Sequence, residues 1–176
     1  MPIEAIALAV LLGLGMAIAV ALPALRRGDR RTAAVRVAQA LLAGAILAVL
    51  AVTLSQGGNM GQSTAVNLVP GSGVRTALNN ANQELGALNL VGNVLMFAPV
   101  GLLLPVAIGL RWVSTVAVAA VLSTLIEVQQ LVIGRAFDVD DILPNTGGAA
   151  MGAAVGVALA SRLRRLERRD GPATAT

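Results

Sequence analysis

Between Ser123 and Gly156 the chain reads STLIEVQQLVIGRAFDVDDILPNTGGAAMGAAVG. Four of the nine acidic residues of the protein, Glu127, Asp138, Asp140 and Asp141, fall in this stretch, beside Arg135 and between two apolar segments. A carboxylate in such a setting needs a partner or a proton, and intramembrane acids usually serve a site. Ser123, Glu127 and Gln130 stand at i, i+4 and i+7, which puts them on one helix face; Gln129 falls on another. Upstream, Asn89 and Asn93 share a face one turn apart. Hydrogen bonding to sugar hydroxyls or amides suits Asn89, Asn93 and Gln130, with Glu127 orienting them. The guanidinium of Arg135 matches phosphate geometry. Glu127 could instead be purely structural, bonded to Asn93 or Arg135. Asn145 could contact a ligand or cap a helix. The DVDD run could hold a divalent cation, but it lacks the EF-hand pattern and reads better as a solvated turn whose acids pair with Arg135. No metal site is assigned.

The elements that must position these groups are apolar. Of 176 residues 56% are hydrophobic, 12% charged and 2% aromatic, a balance suited to a lipid solvent rather than a water-soluble core. There is no cysteine and no histidine, so a disulfide framework, thiolate chemistry and a Ser-His pair are excluded. No P-loop, dinucleotide fingerprint or HExxH is present, and no cofactor is expected. The expected fold is all-α, a polytopic membrane helical bundle of about five transmembrane helices in one domain over residues 1–170, with 171–176 as a disordered tail.

The spans are Ile3–Leu25, Ala34–Leu54, Asn89–Leu110, Val113–Ile133 and Asn145–Arg162. Pro99 and Pro105 should kink the third, and Arg111 with Trp112 should close it at the interface. The connection Ser55–Leu88 is polar. Val74, Leu78, Ala81, Leu85 and Leu88 within it suggest an amphipathic helix, with a solvated loop as the alternative. Gly148, Gly152 and Gly156 form GxxxGxxxG, a helix-packing face that could also serve a second copy of the chain. All thirteen basic residues are arginine. An N-out, C-in topology leaves only Arg75 and Arg135 outside and the other eleven in the cytoplasm, as the positive-inside rule requires. These arginines answer to topology and anionic lipid rather than to nucleic acid.

The succession NLVGNVLMFAPVGLLLP, STLIEVQQ and GRAFDVDDILPNTGGAAMG, with NLVP at Asn67–Pro70, resembles the VanZ-like membrane protein family over about residues 35–160. By position, the family pattern falls on Asn89, Asn93, Pro99, Gly101, Glu127, Gln130, Arg135, Asp138, Asp141, Asn145 and Gly148. Asp140 and Gln129 look incidental to it. Gly71 stands where the family often has an aromatic, which weakens the expectation that the outer loop docks on the bundle. The resemblance implies a multi-pass protein of the bacterial plasma membrane with a role in the cell envelope, and its founding member is associated with resistance to teicoplanin more than to vancomycin.

The leading expectation is non-enzymatic binding of a membrane lipid, a lipid-linked cell-wall precursor or a lipoglycopeptide in a polar pocket of the outer leaflet. Its ligand-binding residues would be Asn89, Asn93, Glu127, Gln130, Arg135, Asp138, Asp141 and Asn145. One alternative is an enzyme acting on a lipid-linked substrate, with Glu127 as general base and Asp138 or Asp141 as acid or metal ligand. A proton-coupled transporter using Glu127 is the other.

Overall fold

A computed structural model of the chain describes residues 3–55, 66–72 and 83–170. Five helices are present among them: α1 (Ile3–Arg26), α2 (Arg30–Ser55), α3 (Gln83–Ile108), α4 (Trp112–Val132) and α5 (Val139–Asp170). Two short strands, β1 (Val66–Asn67) and β2 (Phe137–Asp138), pair in parallel, with Val66 opposite Phe137 and Asn67 opposite Asp138. The fold is therefore an all-α bundle with one small strand pair. Among the described residues four helices carry stretches long and apolar enough to cross a membrane: Arg30–Thr53, Gly86–Ile108, Trp112–Val132 and Val139–Leu166. Many large apolar side chains on them face outward, among them Leu47, Leu95, Val113, Leu125 and Val155, as lipid allows and water does not.

Short connections reverse the chain. After α1 the N–H of Asp29 bonds to Ala24 O and that of Gly28 to Leu25 O, both at 3.0 Å, with Gly28 at φ 74. This is a Schellman motif. Asp29 then caps α2, accepting from the Thr32 N–H at 2.9 Å. The Thr32 hydroxyl and N–H hold the Asp29 carboxyl below the usual carboxylate range. The ends rich in arginine gather together: Arg31, Gly109 and Arg164 line one cavity of about 250 Å³ between α2, α3 and α5.

α3 is the centre of the bundle, packing on α2, α4 and α5. Phe97, Val100 and Leu104 of α3 are buried with Leu42 and Val49 of α2, Ala119 and Ile126 of α4, and Ala149 of α5. The helix runs unbroken through Pro99 and Pro105. Its closest neighbour is α5. A Cβ at Gly148 would run into Val94 O, one at Gly152 into Ala98 O, and one at Gly156 into Leu102 O. Gly101 answers from α3, where a Cβ would strike Ala149 O. The GxxxGxxxG face is thus filled within the chain by α3. That corrects the expectation that it could serve a second copy.

Two helix starts beside the polar residues differ from those expected. α3 begins at Gln83, so Leu85 and Leu88 belong to it rather than to a separate amphipathic helix; Val74, Leu78 and Ala81 lie outside the described residues, as does the tail 171–176. α5 begins at Val139, six residues before the expected Asn145, because the acids of the DVDD run form its first turn. A helix N-terminus favours acids, so residues that read as a loop are a helix start. Trp112, expected as an interfacial anchor, lays its indole N–H on Ala150 O of α5 at 3.0 Å.

Gly152→Val should lower stability by ~3 kcal/mol, the upper range of overpacking, because the obstacle is α3 backbone. Gly44→Ala on α2, whose Cβ would meet nothing within 4 Å, should be neutral or stabilising by about 0.5–1 kcal/mol. Unfolding of the two variants in detergent, followed by circular dichroism, checks the contrast; equal losses would contradict the packing assigned here.

Candidate functional site

The polar groups assemble at the end of the bundle opposite the arginine-rich one. On α4, Ser123, Glu127 and Gln130 are all buried, at 0, 2 and 6% exposure, so the i, i+4, i+7 pattern does define one inward face. Gln129 lies off that face, half-buried. α4 ends in a second Schellman motif: the Arg135 N–H bonds to Gln130 O at 2.9 Å and the Gly134 N–H to Leu131 O at 3.1 Å, with Gly134 at φ 82. This turn folds Arg135 back over Gln130. With its amide turned so that donors meet acceptors, Gln130 donates to Glu127 Oε1 at 3.3 Å and accepts from Arg135 Nη1 at 3.2 Å. Arg135 Nη1 also donates to the backbone carbonyl of Thr53 at the end of α2, at 3.4 Å. The negative end of a helix dipole suits a guanidinium.

The second oxygen of Glu127, Oε2, accepts the backbone N–H of Asp138 at 3.0 Å. A buried carboxylate on α4 thereby fixes the residue from which α5 starts. Asp138 in turn caps α5, its Oδ1 accepting from the Asp140 N–H and from Asn67 Nδ2, both at 2.8 Å. Asp140 faces the 66–72 segment and accepts from the Gly71 N–H and, at 3.4 Å, from the Ser72 hydroxyl. Asn67 Nδ2 donates to Ser72 Oγ at 2.7 Å. Asp141 faces α3, where Asn93 Nδ2 at 2.7 Å and Asn89 Nδ2 at 2.9 Å converge on its Oδ1. Deeper, Asn145 Nδ2 donates to Ser123 Oγ at 2.9 Å, while Asn145 Oδ1 and Thr146 Oγ1 are buried with no partner among the described residues.

All eight expected ligand-binding residues, Asn89, Asn93, Glu127, Gln130, Arg135, Asp138, Asp141 and Asn145, therefore fall in one polar end of the bundle, and four points in their sequence reading change. Glu127 bonds to Asp138 and Gln130 rather than to Asn93. Asn145 is a second-turn residue of α5 bound to Ser123, so it is not a cap; Asp138 is. Asp140, read as incidental, holds the 66–72 segment. That segment docks without the aromatic that Gly71 replaces, because the β1–β2 pairing, Asn67 and Asp140 hold it instead. Asn67, Ser72 and the Thr53 carbonyl were not singled out as site groups. Asp138 followed by acids in the next turn was a readable helix-start signal. The partners of Asp140 had none, because they lie 68 and 69 residues away. Among the described residues no group of three or more acids is arranged to hold a metal ion.

Long apolar helices closed at one end by a buried acid–amide network and at the other by arginines define a polytopic membrane protein. The VanZ/LLP1 family model matches residues 39–160, from within α2 to near the end of α5. The chain belongs to the VanZ/LLP1 family. Neither curated proteins nor solved structures gave a match.

Glu127→Ala strands the Asp138 N–H and should lower stability by ~2 kcal/mol, the cost of an unsatisfied buried donor. Glu127→Gln keeps a carbonyl acceptor and should cost less. Asn93→Ala, removing the shorter and more buried bond to Asp141, should cost about 1 kcal/mol and more than Asn89→Ala. Melting of purified variants in detergent gives both rankings.

Proposed function

We propose that this protein is a non-enzymatic component of a bacterial cell envelope. Its polar end, on the outer face of the plasma membrane, would hold the headgroup of a lipid-linked cell-wall precursor, a phospholipid or a lipoglycopeptide. The observation that carries this reading is the convergence of polar side chains from α3, α4, α5 and the 66–72 segment at one end of otherwise apolar helices, with Asn89 exposed and Arg135, Asp138 and Asp141 only half-buried. Acceptors outnumber donors there. Among the described residues four carboxylates and one guanidinium stand there, a set that suits a headgroup rich in hydroxyl or amine donors, with Arg135 the group suited to a phosphate. Asn145 Oδ1 is a further buried acceptor that a donor would satisfy.

Binding is favoured over catalysis by the occupancy of the acids. Glu127, Asp138, Asp140 and Asp141 each accept hydrogen bonds from within the chain, so a general base or metal ligand would first have to give up a structural bond. The positive-inside count sets the orientation on which the outer-face assignment rests.

Wild type and Arg135→Ala expressed at matched membrane levels in a teicoplanin-sensitive bacterium test the proposal. The wild type should lower susceptibility to teicoplanin more than to vancomycin, and a specific lipid should copurify with it. Both effects should vanish in Arg135→Ala and partly return in Arg135→Lys, which keeps the charge. Only bulk lipid in all three, with unchanged susceptibility, would overturn it.

A further inference from the structure

α1 lies to one side of the bundle, packed on α2, and the family match begins beyond it at residue 39. The two helices meet closely near the cytoplasmic turn, where Ala21, Ala24 and Ala33 are buried together. Away from that turn a groove of about 540 Å³ lies between them. Its lining is almost wholly apolar and small along α2, and Arg36 stands at its arginine-rich end. From Arg36 to Ala51 the groove follows α2 for about 22 Å at helical rise. Such a shape suits an extended hydrocarbon chain rather than a compact solute. Arg36 is exposed and makes no hydrogen bond or ion pair among the described residues. Gly13 and Gly44, which also line the groove, face open space: a Cβ on either would meet no atom within 4 Å. They differ in this from the α5 glycines, whose space is taken by α3.

We propose that this groove binds one anionic phospholipid of the cytoplasmic leaflet, with its phosphate at Arg36 and an acyl chain laid along α2 towards Ala51. Charge complementarity selects the occupant. The cation stands at the end where the arginines gather, the level of the anionic cytoplasmic headgroups under the topology above. A second copy of the chain fits worse. A two-fold dimer through this face would set concavity against concavity and Arg36 against Arg36. The site is separate from the polar end of the bundle and does not depend on its function.

Native mass spectrometry of the full chain, in detergent supplied with equal phosphatidylglycerol and phosphatidylcholine, tests this. One phosphatidylglycerol should be retained in preference. Arg36→Ala should weaken that preference by about fivefold, the attraction of one basic residue for an anionic surface. Gly44→Phe, whose Cβ would meet no atom within 4 Å and whose ring would take up the groove, should remove retention of either lipid while the helical circular dichroism and melting stay intact. Arg162→Ala, a basic residue away from the groove, should leave retention as in wild type, and inorganic phosphate should not compete. Equal retention of the two lipids, an equal loss in Arg162→Ala, displacement by phosphate alone, or undiminished binding in Gly44→Phe would each overturn the proposal. So would a dimer that Gly44→Phe abolishes, since the groove would then hold a second copy.

Discussion

A carboxylate buried in an apolar helix has to be satisfied, and here it is satisfied by the start of the next helix. Glu127 is 2% exposed and accepts the N–H of Asp138 through one oxygen. Leaving the amide unpaired would cost ~2 kcal/mol, and leaving the buried carboxylate unpaired would cost more. The position of Asp138 is thereby set, and the cap of α5 with it. The three acids that follow the loop then diverge: Asp138 towards Asn67, Asp140 towards Gly71, Asp141 towards Asn89 and Asn93. One buried acid thus organises the polar end of four helices. The apolar remainder supplies close packing, above all where the α5 glycines meet the backbone of α3.

The two ends of the bundle are chemically opposite. One gathers arginines around a small cavity between α2, α3 and α5. The other gathers acids and amides around the guanidinium of Arg135. Arginines at one end are what the positive-inside rule reads as a cytoplasmic face, whereas the acid–amide network closes the bundle at the other. The same side chains that close it present the polar surface on which a headgroup would rest. Under the proposed function, fold and recognition would therefore draw on one set of residues at that end. A substitution such as Glu127→Ala acts on both, while exposed Asn89 and half-buried Arg135 are better placed to separate them.

Much of this was legible in the sequence because helical periodicity is a local property. The inward face of Ser123, Glu127 and Gln130 followed from spacing, the spans from apolar run length, and the packing role of Gly148, Gly152 and Gly156 from their four-residue repeat. The start of α5 was misplaced because DVDDILP is polar and ends in proline, features shared by loops and by helix first turns. The role of Asp140 was hidden for another reason: its partners at Gly71 and Ser72 are brought to it only by the strand pairing of 66–67 with 137–138. Sequence spacing carries no record of such a meeting. The groove beside Arg36 was likewise invisible, since it depends on how far α1 and α2 diverge.

Hydrogen exchange at the Asp138 amide, compared between wild type and Glu127→Ala in detergent, tests the central claim most directly. The amide should be strongly protected in wild type. In the variant it should exchange quickly, together with the Gly71 amide that depends on the same helix start, while the amides of α1 and α2 keep their protection. An Asp138 amide equally protected in both proteins would show that Glu127 does not hold the start of α5.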